Sequence, residues 1–558
     1  MPSTSSRYVF LLMIISFQVA YGQPEEKLVR KIDSIFSKWD RTNSPGCALA
    51  IVKDGKIIYE RGYGMANLEY NIAITPASRF HVASISKQFT AASIQRLALE
   101  GRLSLKDDIR KYLPEMPEFG HTITIANLIH HTSGLRDQWD LQRLAGWRDD
   151  DVVTENDILE MAKRQQALNF IPGEEYSYCN TGYTLLGIIV KRVTAVSLRK
   201  YADSVFFKPL GMNNTVFHSD HSEIVVNRTS AYELTDEQPM GGPSTSGQRW
   251  AISIPVFDNY GATSLFTTVE DLAKWDENFY THQVGGEDFI KAMVEPGIFN
   301  NGQLQTYASG LSVGEYFGNK TVEHSGADAG YRANILRFPD RHLSVIVLAN
   351  LANINPGDLC RRVARLFLPP WSGGVQTVHV VDSSVVKGWA GDYLDQVTKL
   401  WTTISAEPVK GFPTAVLKVN GTELTPGSDS VYTNSGGGRY TFSHFGAQPR
   451  FRLQSAGMRD RVYQKVSKVV LSPAALGVYA GEYYSKDLDV DFVVSVKDSG
   501  LVVKPPRIEP VDLSPFSRDI FTGPFLMEFV RDRKGVVTGF LLSTGRSRGL
   551  VFSKTLEK

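Results

Sequence analysis

The sequence predicts an α+β protein: an antiparallel sheet flanked by helices, with a mostly helical subdomain, followed by two small antiparallel β-barrel-like repeats. Three observations support this prediction. Strand-like hairpins lie near both ends of the first two thirds of the chain, the segment between them is largely helical, and the rest contains a duplicated β-rich unit. Strands at both ends of a region that encloses helices indicate one sheet with helices packed on it.

Two β-hairpins are predicted near the ends of the α+β region. Residues 47–52 and 56–59 are apolar runs joined through Asp54-Gly55, and Asp-Gly between apolar runs is a strong hairpin signal. Residues 334–338 and 343–348 are predicted as a second pair of strands, on either side of Pro339-Asp340. We expect both hairpins to enter the same sheet.

Two helices are predicted from the spacing of apolar residues. Residues 27–39 carry apolar side chains at helical intervals. A second helical pattern follows Ser84 and ends at Gly101. Ser84 is therefore expected at the start of a helix.

The composition changes near residues 369–374, where proline and glycine cluster as in a linker. Beyond this point, WAGDY at residues 389–393 returns as YAGEY at residues 479–483, and residues 451–465 are echoed by residues 540–554. Because the segments at both ends of this unit recur about ninety residues later, the unit is predicted to be duplicated. The predicted divisions are an α+β domain over residues 23–370, a linker over 371–382, and β-barrel-like repeats over 383–468 and 469–558.

The first residues are typical of a secretory signal peptide, predicted over residues 1–22. Arg7 precedes the apolar run 8–17, and the small residues Ala20 and Gly22 flank a candidate cleavage site. The apolar run is shorter than the ~20 residues that span a bilayer, and no cysteine follows it as a lipid attachment site. We therefore expect export to the periplasm or the extracellular space without a membrane anchor.

Charge and cysteine content exclude several classes of protein. The chain has 60 basic and 59 acidic residues, a net charge of +1, which gives no electrostatic reason to expect nucleic acid or an anionic membrane as a partner. Its 3 cysteines, Cys47, Cys179 and Cys360, are too few for a disulfide framework, although the sequence leaves one pair open.

Ser84 and Lys87 are candidates for a nucleophile and its base. A serine hydroxyl needs a base at neutral pH, and residues three apart on a helix share one face. The helix N-terminus favours developing negative charge, the Ser84 N–H could donate to an oxyanion, and partial burial would lower the pKa of Lys87. The same S-x-x-K spacing occurs at residues 197–200 and 384–387, so taken alone it equally fits a solvated helix face.

Three further stretches give Ser84 a context. LIHHTSGL at residues 128–135 taken alone resembles a helix C-terminus closed by Gly134. In YSYCNTGY at residues 176–183, Tyr178 and Asn180 are two apart and point the same way in an extended chain; they could share a proton and orient a substrate, or simply cap the next helix.

The third stretch, HSGADAGY, begins at His324 and precedes the late hairpin. Gly326 would allow a substrate to approach a strand edge, and the N–H of Ala327 could be a second oxyanion donor. The alternative interpretation of this stretch is a loop with a chance histidine.

Together, FHVASISKQFTA, LIHHTSGL, YSYCNTGYTLLG and HSGADAGY resemble the signature segments of the serine β-lactamase and penicillin-binding protein superfamily, in its order. The closest resemblance is to the class C β-lactamase-related group of DD-peptidases, D-aminopeptidases and esterases. It spans roughly residues 25–368 and implies a β-lactamase/transpeptidase-like serine hydrolase domain.

The resemblance implies an acyl-enzyme mechanism on a small-molecule or peptide substrate. Ser84 would attack a carbonyl, and Lys87 and Tyr178 would move the proton to the leaving group and then activate water. Asn180 would position the substrate. The segment His324-Ser325-Gly326-Ala327 would contribute substrate and oxyanion contacts, and no metal or organic cofactor is expected.

One residue departs from the family pattern. The β-lactamases of this group usually carry lysine where His324 stands, and a histidine is mostly neutral at pH 7. This change favours an amide or ester hydrolase, possibly one acting on D-amino-acid peptides, over a β-lactamase. A β-lactamase proper, or a non-catalytic protein that binds peptides or cell-wall fragments, is the alternative. The repeats are similar to C-terminal barrels that restrict substrates in related peptidases, or they serve stability or adhesion.

Overall fold

The structure is a computed structural model that describes residues 25–235, 250–370, 379, 381–408, 415–434, 437–455 and 458–555. The predicted signal peptide at residues 1–22 and most of the predicted linker at residues 371–382 lie outside the described residues. Among the described helices, none combines the length and the apolar character that crossing a membrane requires.

The described helices are α1 (Glu26–Phe36), α2 (Ser86–Leu99), α3 (Ile125–Ile129), α4 (Gln138–Leu144), α5 (Glu155–Arg164), α6 (Asn180–Thr194), α7 (Leu198–Ala202), α8 (Val269–Thr281), α9 (Gly286–Val294), α10 (Pro356–Ala364), α11 (Ser383–Trp389) and α12 (Pro473–Gly477). Short 3-10 helices cover Ala83–Ile85, Ile109–Lys111 and Pro339–Arg341, and a π-helical turn covers Asp203–Phe207.

The strands of the first domain are β1 (Cys47–Lys53), β2 (Lys56–Tyr63), β3 (Met65–Asn67), β4 (Ile72–Ala73), β5 (Phe80–His81), β6 (Val153–Thr154), β7 (Val216–Phe217), β8 (Tyr232–Leu234), β9 (Trp250–Ile252), β10 (Phe257–Asp258), β11 (Leu265–Thr267), β12 (Ser312–Tyr316), β13 (Asn319–Asp328), β14 (Tyr331–Phe338) and β15 (Leu343–Ala349).

The strands of the first repeat are β16 (Gly391–Asp395), β17 (Trp401–Pro408), β18 (Ala415–Val419), β19 (Thr422–Glu423), β20 (Thr425–Pro426), β21 (Val431–Thr433), β22 (Arg439–Phe445), β23 (Gln448–Gln454) and β24 (Arg461–Val466). Those of the second repeat are β25 (Gly481–Ser485), β26 (Val490–Lys497), β27 (Gly500–Lys504), β28 (Val511–Ser517), β29 (Ile520–Thr522), β30 (Leu526–Arg531), β31 (Val537–Ser543) and β32 (Leu550–Lys554).

One antiparallel sheet joins strands from both ends of the first domain, in the order β12-β13-β14-β15-β1-β2. Strand β1 is buried on both faces: Ala48 and Ala50 enter the core shared with α2 and α6, whereas Leu49 and Ile51 enter the core shared with α1 and α10. Alternating side chains serve the two cores because successive residues of a strand point to opposite faces. The predicted α+β class, with helices on one common sheet, is confirmed.

The predicted hairpins pair as expected. Asp54 and Gly55 both have positive φ, 48° and 75°, as the two-residue turn between β1 and β2 requires. Strands β14 and β15 pair from Arg332 to Phe338, on either side of the short helix that begins at Pro339. Cys47, Cys179 and Cys360 are buried free thiols, so the disulfide that the sequence left open does not form.

The two repeats form similar β structures. Strands β16–β24 form a nine-stranded antiparallel sheet, and β25–β32 close into an eight-stranded barrel, which confirms the predicted barrel-like repeats. In each repeat the tyrosine of the recurring motif donates from its hydroxyl to a carbonyl oxygen four residues earlier, at 2.7 Å for Tyr393 and 2.8 Å for Tyr483. The shared bond gives the sequence repeat a physical counterpart.

The second barrel docks against the first domain through a mixed interface. Leu141 and Leu144 of α4 share a hydrophobic core with the barrel interior. Beside them, Arg136 forms an ion pair with Asp487 at 3.3 Å, with side chains only 1% and 2% exposed. Arg136 also donates from Nε to the carbonyl oxygen of Arg548 at 3.1 Å. Apolar burial and the buried ion pair thus hold the barrel on the first domain, and the Arg136 hydrogen bond holds the turn between β31 and β32 there.

Candidate active site

The predicted site residues meet around one cavity of about 400 Å³. Seven of them line it, namely Ser84, Tyr178, Asn180, His324, Ser325, Gly326 and Ala327. Lys87 is fully buried directly behind Ser84. The start of α2, the segment before α6 and the edge of β13 therefore converge, although they are far apart in the chain.

Lys87 has a complete set of hydrogen-bond partners. Its Nζ donates to Ser84 Oγ at 3.0 Å, to Asn180 Oδ1 at 2.8 Å and to the carbonyl oxygen of Ala262 at 2.7 Å. An ammonium has three donors, so these acceptors use all of them. The neutral amine would keep two donors for Asn180 and Ala262 and turn its lone pair towards the Ser84 hydroxyl. This geometry suits a general base.

Electrostatics support the same role for Lys87. Burial lowers the pKa of Lys87 to about 7, and Asp328 and Asp137 oppose this effect. Loss of hydration destabilises the charged form of the buried amine, and the attraction of the two nearby carboxylates only partly offsets this loss. A substantial share of Lys87 is therefore neutral near pH 7 and able to accept a proton.

Asn180 is held in one orientation by Asp137. Its backbone N–H and its Nδ2 donate to Asp137 Oδ2 at 2.6 Å and 2.9 Å. Because Nδ2 faces this carboxylate, Oδ1 must face Lys87. Asn180 therefore fixes the lysine and keeps one N–H for a substrate, which adds a positioning role to the one predicted from the sequence.

Tyr178 lies beside both members of the Ser84–Lys87 pair. Its ring centroid is 4.9 Å from Lys87 Nζ. Burial raises the pKa of Tyr178 well above its usual value, and a hydrogen bond with the Ser84 side chain acts in the opposite direction. The phenol therefore stays protonated at neutral pH, which suits a proton donor to a leaving group better than a base.

His131 supports Tyr178 from behind. Its ring lies 4.2 Å from the Tyr178 ring between centroids, and its Nδ1 accepts the backbone N–H of Cys179 at 3.0 Å. Burial lowers the pKa of His131 well below its usual value, so the ring is neutral. The interpretation of this stretch as a helix closed by Gly134 is wrong: α3 ends at Ile129, and the residues after it form the packing surface for Tyr178.

His324 is neutral and occupied by protein groups. Its Nδ1 lies 2.6 Å from the carbonyl oxygen of Ser325, so Nδ1 carries the proton, and its Nε2 accepts from the hydroxyl of Tyr307 at 2.9 Å. Burial lowers the pKa of His324 to about 3. Unlike a lysine at this position, His324 offers no positive charge to a substrate.

Gly326 brings strand β13 against the turn that carries Ser84. A Cβ at this position would lie 2.1 Å from the carbonyl oxygen of Val82, closer than any side chain allows. Strand β12 pairs with β13 only as far as Glu323, so the edge of β13 from His324 onward is not covered by β12. A glycine here therefore permits the close packing of β13 on the turn that carries Ser84, which brings the uncovered edge of β13 beside Ser84.

The chain matches the family model for Beta-lactamase over residues 32–367, more than half of its length. This chain belongs to the beta-lactamase family. Protein flp from Staphylococcus aureus is 30% identical over 397 residues, covering 67% of this chain and 72% of that protein. A D-aminopeptidase from Gluconobacter oxydans is 28% identical over 310 residues, covering 56% of each protein. The resemblance predicted from the four motifs is confirmed.

Solved structures show the same fold. An octameric penicillin-binding protein homologue from Pyrococcus abyssi aligns with a TM-score of 0.54 at 23% identity, covering 78% of this chain and 99% of that one. At this identity the similarity bears on the fold alone. It agrees with a beta-lactamase-family domain built on the sheet β12-β13-β14-β15-β1-β2.

Several residues of this beta-lactamase-family site were missed by sequence reasoning. Asp137 and the carbonyl oxygen of Ala262 hold Asn180 and Lys87, and Tyr307 holds His324. Asp328 and Arg546 line the cavity itself. Asp328 belongs to the HSGADAGY stretch and could have been singled out there, whereas Arg546 lies in the second barrel, far from any motif.

We expect the rate of this beta-lactamase-family protein on an ester to rise with pH. Lys87 must lose its proton before it can act as a base, so kcat/KM should increase about tenfold per unit below a pKa of about 7 and level off above it. A pH–rate profile with p-nitrophenyl acetate measures this. A profile that is flat or falls through pH 7 would contradict the assignment of Lys87 as base.

Proposed function

We propose that this protein is an exported serine hydrolase that cleaves a small amide or ester through an acyl-enzyme on Ser84. The observation that carries the proposal is the 3.0 Å contact between Lys87 Nζ and Ser84 Oγ beside a cavity of about 400 Å³. A buried amine with a pKa of about 7 next to a hydroxyl is the arrangement that activates a serine.

The acylation step follows from these contacts. The Ser84 hydroxyl gives its proton to neutral Lys87 as Oγ attacks the substrate carbonyl. The backbone N–H groups of Ser84 and Ala327 would stabilise the resulting oxyanion, an effect worth ~2.7–4 kcal/mol per donor in other hydrolases. Tyr178 would pass a proton to the leaving group and recover it from the lysine ammonium.

Deacylation would reverse the proton transfers. A water molecule takes the place of the leaving group, gives its proton to the Tyr178–Lys87 pair and attacks the acyl carbonyl. Ser84 Oγ then leaves and regains its proton. The D-aminopeptidase relative makes short D-amino-acid amides and peptides a natural class of substrate to test.

Export is proposed from the signal-peptide pattern of residues 1–22. Expression in a host with two membranes, followed by fractionation and N-terminal sequencing, tests it. A mature protein that begins shortly after Gly22 outside the cytoplasm supports the proposal, and an uncleaved cytoplasmic protein contradicts it.

Covalent labelling tests the catalytic proposal. A fluorophosphonate probe should label the protein, and mass spectrometry should place the adduct on the peptide that contains Ser84. The variant Ser84→Ala, with an unchanged circular dichroism spectrum, should not be labelled. A folded wild-type protein that resists the probe and turns over no ester or D-aminoacyl amide would overturn the proposal in favour of a binding protein.

A further inference from the structure

Arg546 of the second barrel lies at the catalytic cavity of the first domain. It sits on the turn between β31 and β32, lines the cavity together with Ser84, and places its guanidinium carbon 5.1 Å from the centroid of the Tyr178 ring. One wall of the cavity is thus supplied by the second repeat.

The backbone of this turn is anchored on both sides of Arg546. The N–H of Arg546 donates to Asp140 Oδ2 at 3.2 Å, and its carbonyl oxygen accepts from Asn169 Nδ2 at 2.8 Å. The side chain of Thr544 donates to Asp140 as well. Two residues further on, the backbone N–H of Arg548 donates to Asn169 Oδ1 at 2.7 Å. Such anchoring presents the guanidinium to the cavity at low cost in conformational entropy.

The guanidinium itself has no acidic partner. Within the part of the chain that the structure describes, Arg546 forms no ion pair through its side chain, whereas the nearby Arg548 is paired with Glu175 at 3.1 Å. The positive charge of Arg546 partly opposes the rise that burial causes in the pKa of Asp137, but the carboxylate of Asp137 already accepts the two N–H groups of Asn180. The donors of Arg546 are therefore available to a ligand.

No other group supplies a fixed positive charge to the described lining of the cavity. His324 is neutral and both of its ring nitrogens are bonded to protein groups. Lys87 lies behind Ser84 and alternates between charge states as the base. Arg546 is the only arginine or lysine among the described lining residues, whereas Asp328, which also lines the cavity, is an acid.

We propose that Arg546 binds the free carboxylate of the leaving residue, so that the substrates are short peptides or amides that end in a carboxylate. This inference rests on the proposed hydrolase function. A guanidinium pairs with a carboxylate through two parallel hydrogen bonds, and no other side chain of the cavity offers that geometry. Because Arg546 lies over the ring of Tyr178, the proposed proton donor to the leaving group, the carboxylate belongs to the leaving side of the scissile bond.

A binding experiment tests the proposal separately from turnover. In the Ser84→Ala background, the Kd of N-acetyl-D-Ala-D-Ala is compared with that of its C-terminal amide by calorimetry. We expect the acid to bind about 10- to 100-fold more tightly than the amide. Adding Arg546→Gln should remove this preference, and Arg546→Lys should restore part of it. Equal affinities, no detectable binding of the acid, or a preference that survives Arg546→Gln would overturn the proposal.

Kinetics with Ser84 intact give the second measurement. Arg546→Gln should lower kcat/KM for the acid by about 10- to 100-fold more than it lowers kcat/KM for p-nitrophenyl acetate, because that ester has no carboxylate. Arg533→Gln removes the same charge from an exposed turn of the barrel outside the cavity and serves as the control. Ser84 labelling without selectivity for the acid contradicts the carboxylate site alone, whereas absent labelling contradicts the hydrolase.

Discussion

Replacing Lys87 by methionine is expected to lower kcat/KM for an ester by about 10³-fold or more without unfolding the protein. Methionine has nearly the length of lysine and is apolar, so it suits the buried position but cannot accept the Ser84 proton. The rise of activity through pH 7 should vanish with it. Stopped-flow and steady-state assays with p-nitrophenyl acetate, together with circular dichroism, measure the effect.

Lys200 provides a matched control for this prediction. Lys200 follows Ser197 at the same spacing as Lys87 follows Ser84, at the start of α7. Its side chain is exposed, and its backbone N–H donates to the side chain of Ser197, which caps the helix. Lys200→Met should leave kcat/KM within about twofold, as expected for a surface change. A Lys87→Met variant that keeps more than a tenth of wild-type activity would show that another group is the base.

Replacing Arg136 by methionine is expected to destabilise the docked second barrel by about 3–5 kcal/mol. The substitution leaves the Asp487 carboxylate buried without its ion-pair partner and removes the donors to the carbonyl oxygens of Arg548 and Gly549. An uncompensated buried charge is far more costly than the loss of an exposed pair. Chemical denaturation and limited proteolysis measure the change.

Two variants control for this effect. Arg143→Met, on the exposed side of α4, should change the free energy of unfolding by less than about 0.5 kcal/mol. The double variant Arg136→Met/Asp487→Leu removes both charges and should recover part of the stability lost in the single variant. If Arg136→Met is no less stable than Arg143→Met, the ion pair does not hold the barrel in place.

Local rules were enough to predict the elements that carry Ser84 and Lys87. Asp54-Gly55 indicated the first hairpin because few residues tolerate two successive positive φ angles. The spacing of Ser84 and Lys87 placed both side chains on one helical face, as observed. Motif order then associated Tyr178 with them, since four segments in one order are far more specific than any single segment.

Contacts between distant segments could not be predicted in this way. Nothing near Asp137 in the sequence indicates that its carboxylate orients Asn180, and nothing near Arg546 indicates that this residue of the second barrel lines a cavity of the first domain. The first contact depends on how the helices of the first domain pack, and the second depends on how the barrel docks; neither is encoded in a local pattern. The helix end assigned to Gly134 was wrong because His131, with a φ of 57°, takes the left-handed conformation after the end of α3, three residues before Gly134.

The turn between β31 and β32 also bears on how the protein matures. Ser84 and Arg546 line the same cavity although they lie far apart in the sequence. The complete site therefore has a high contact order and forms late. A ribosome must release the chain through the second barrel before both walls exist. The proposed selective hydrolysis would then report that the second barrel has folded and docked, and chains that lack this barrel would lack the proposed selectivity.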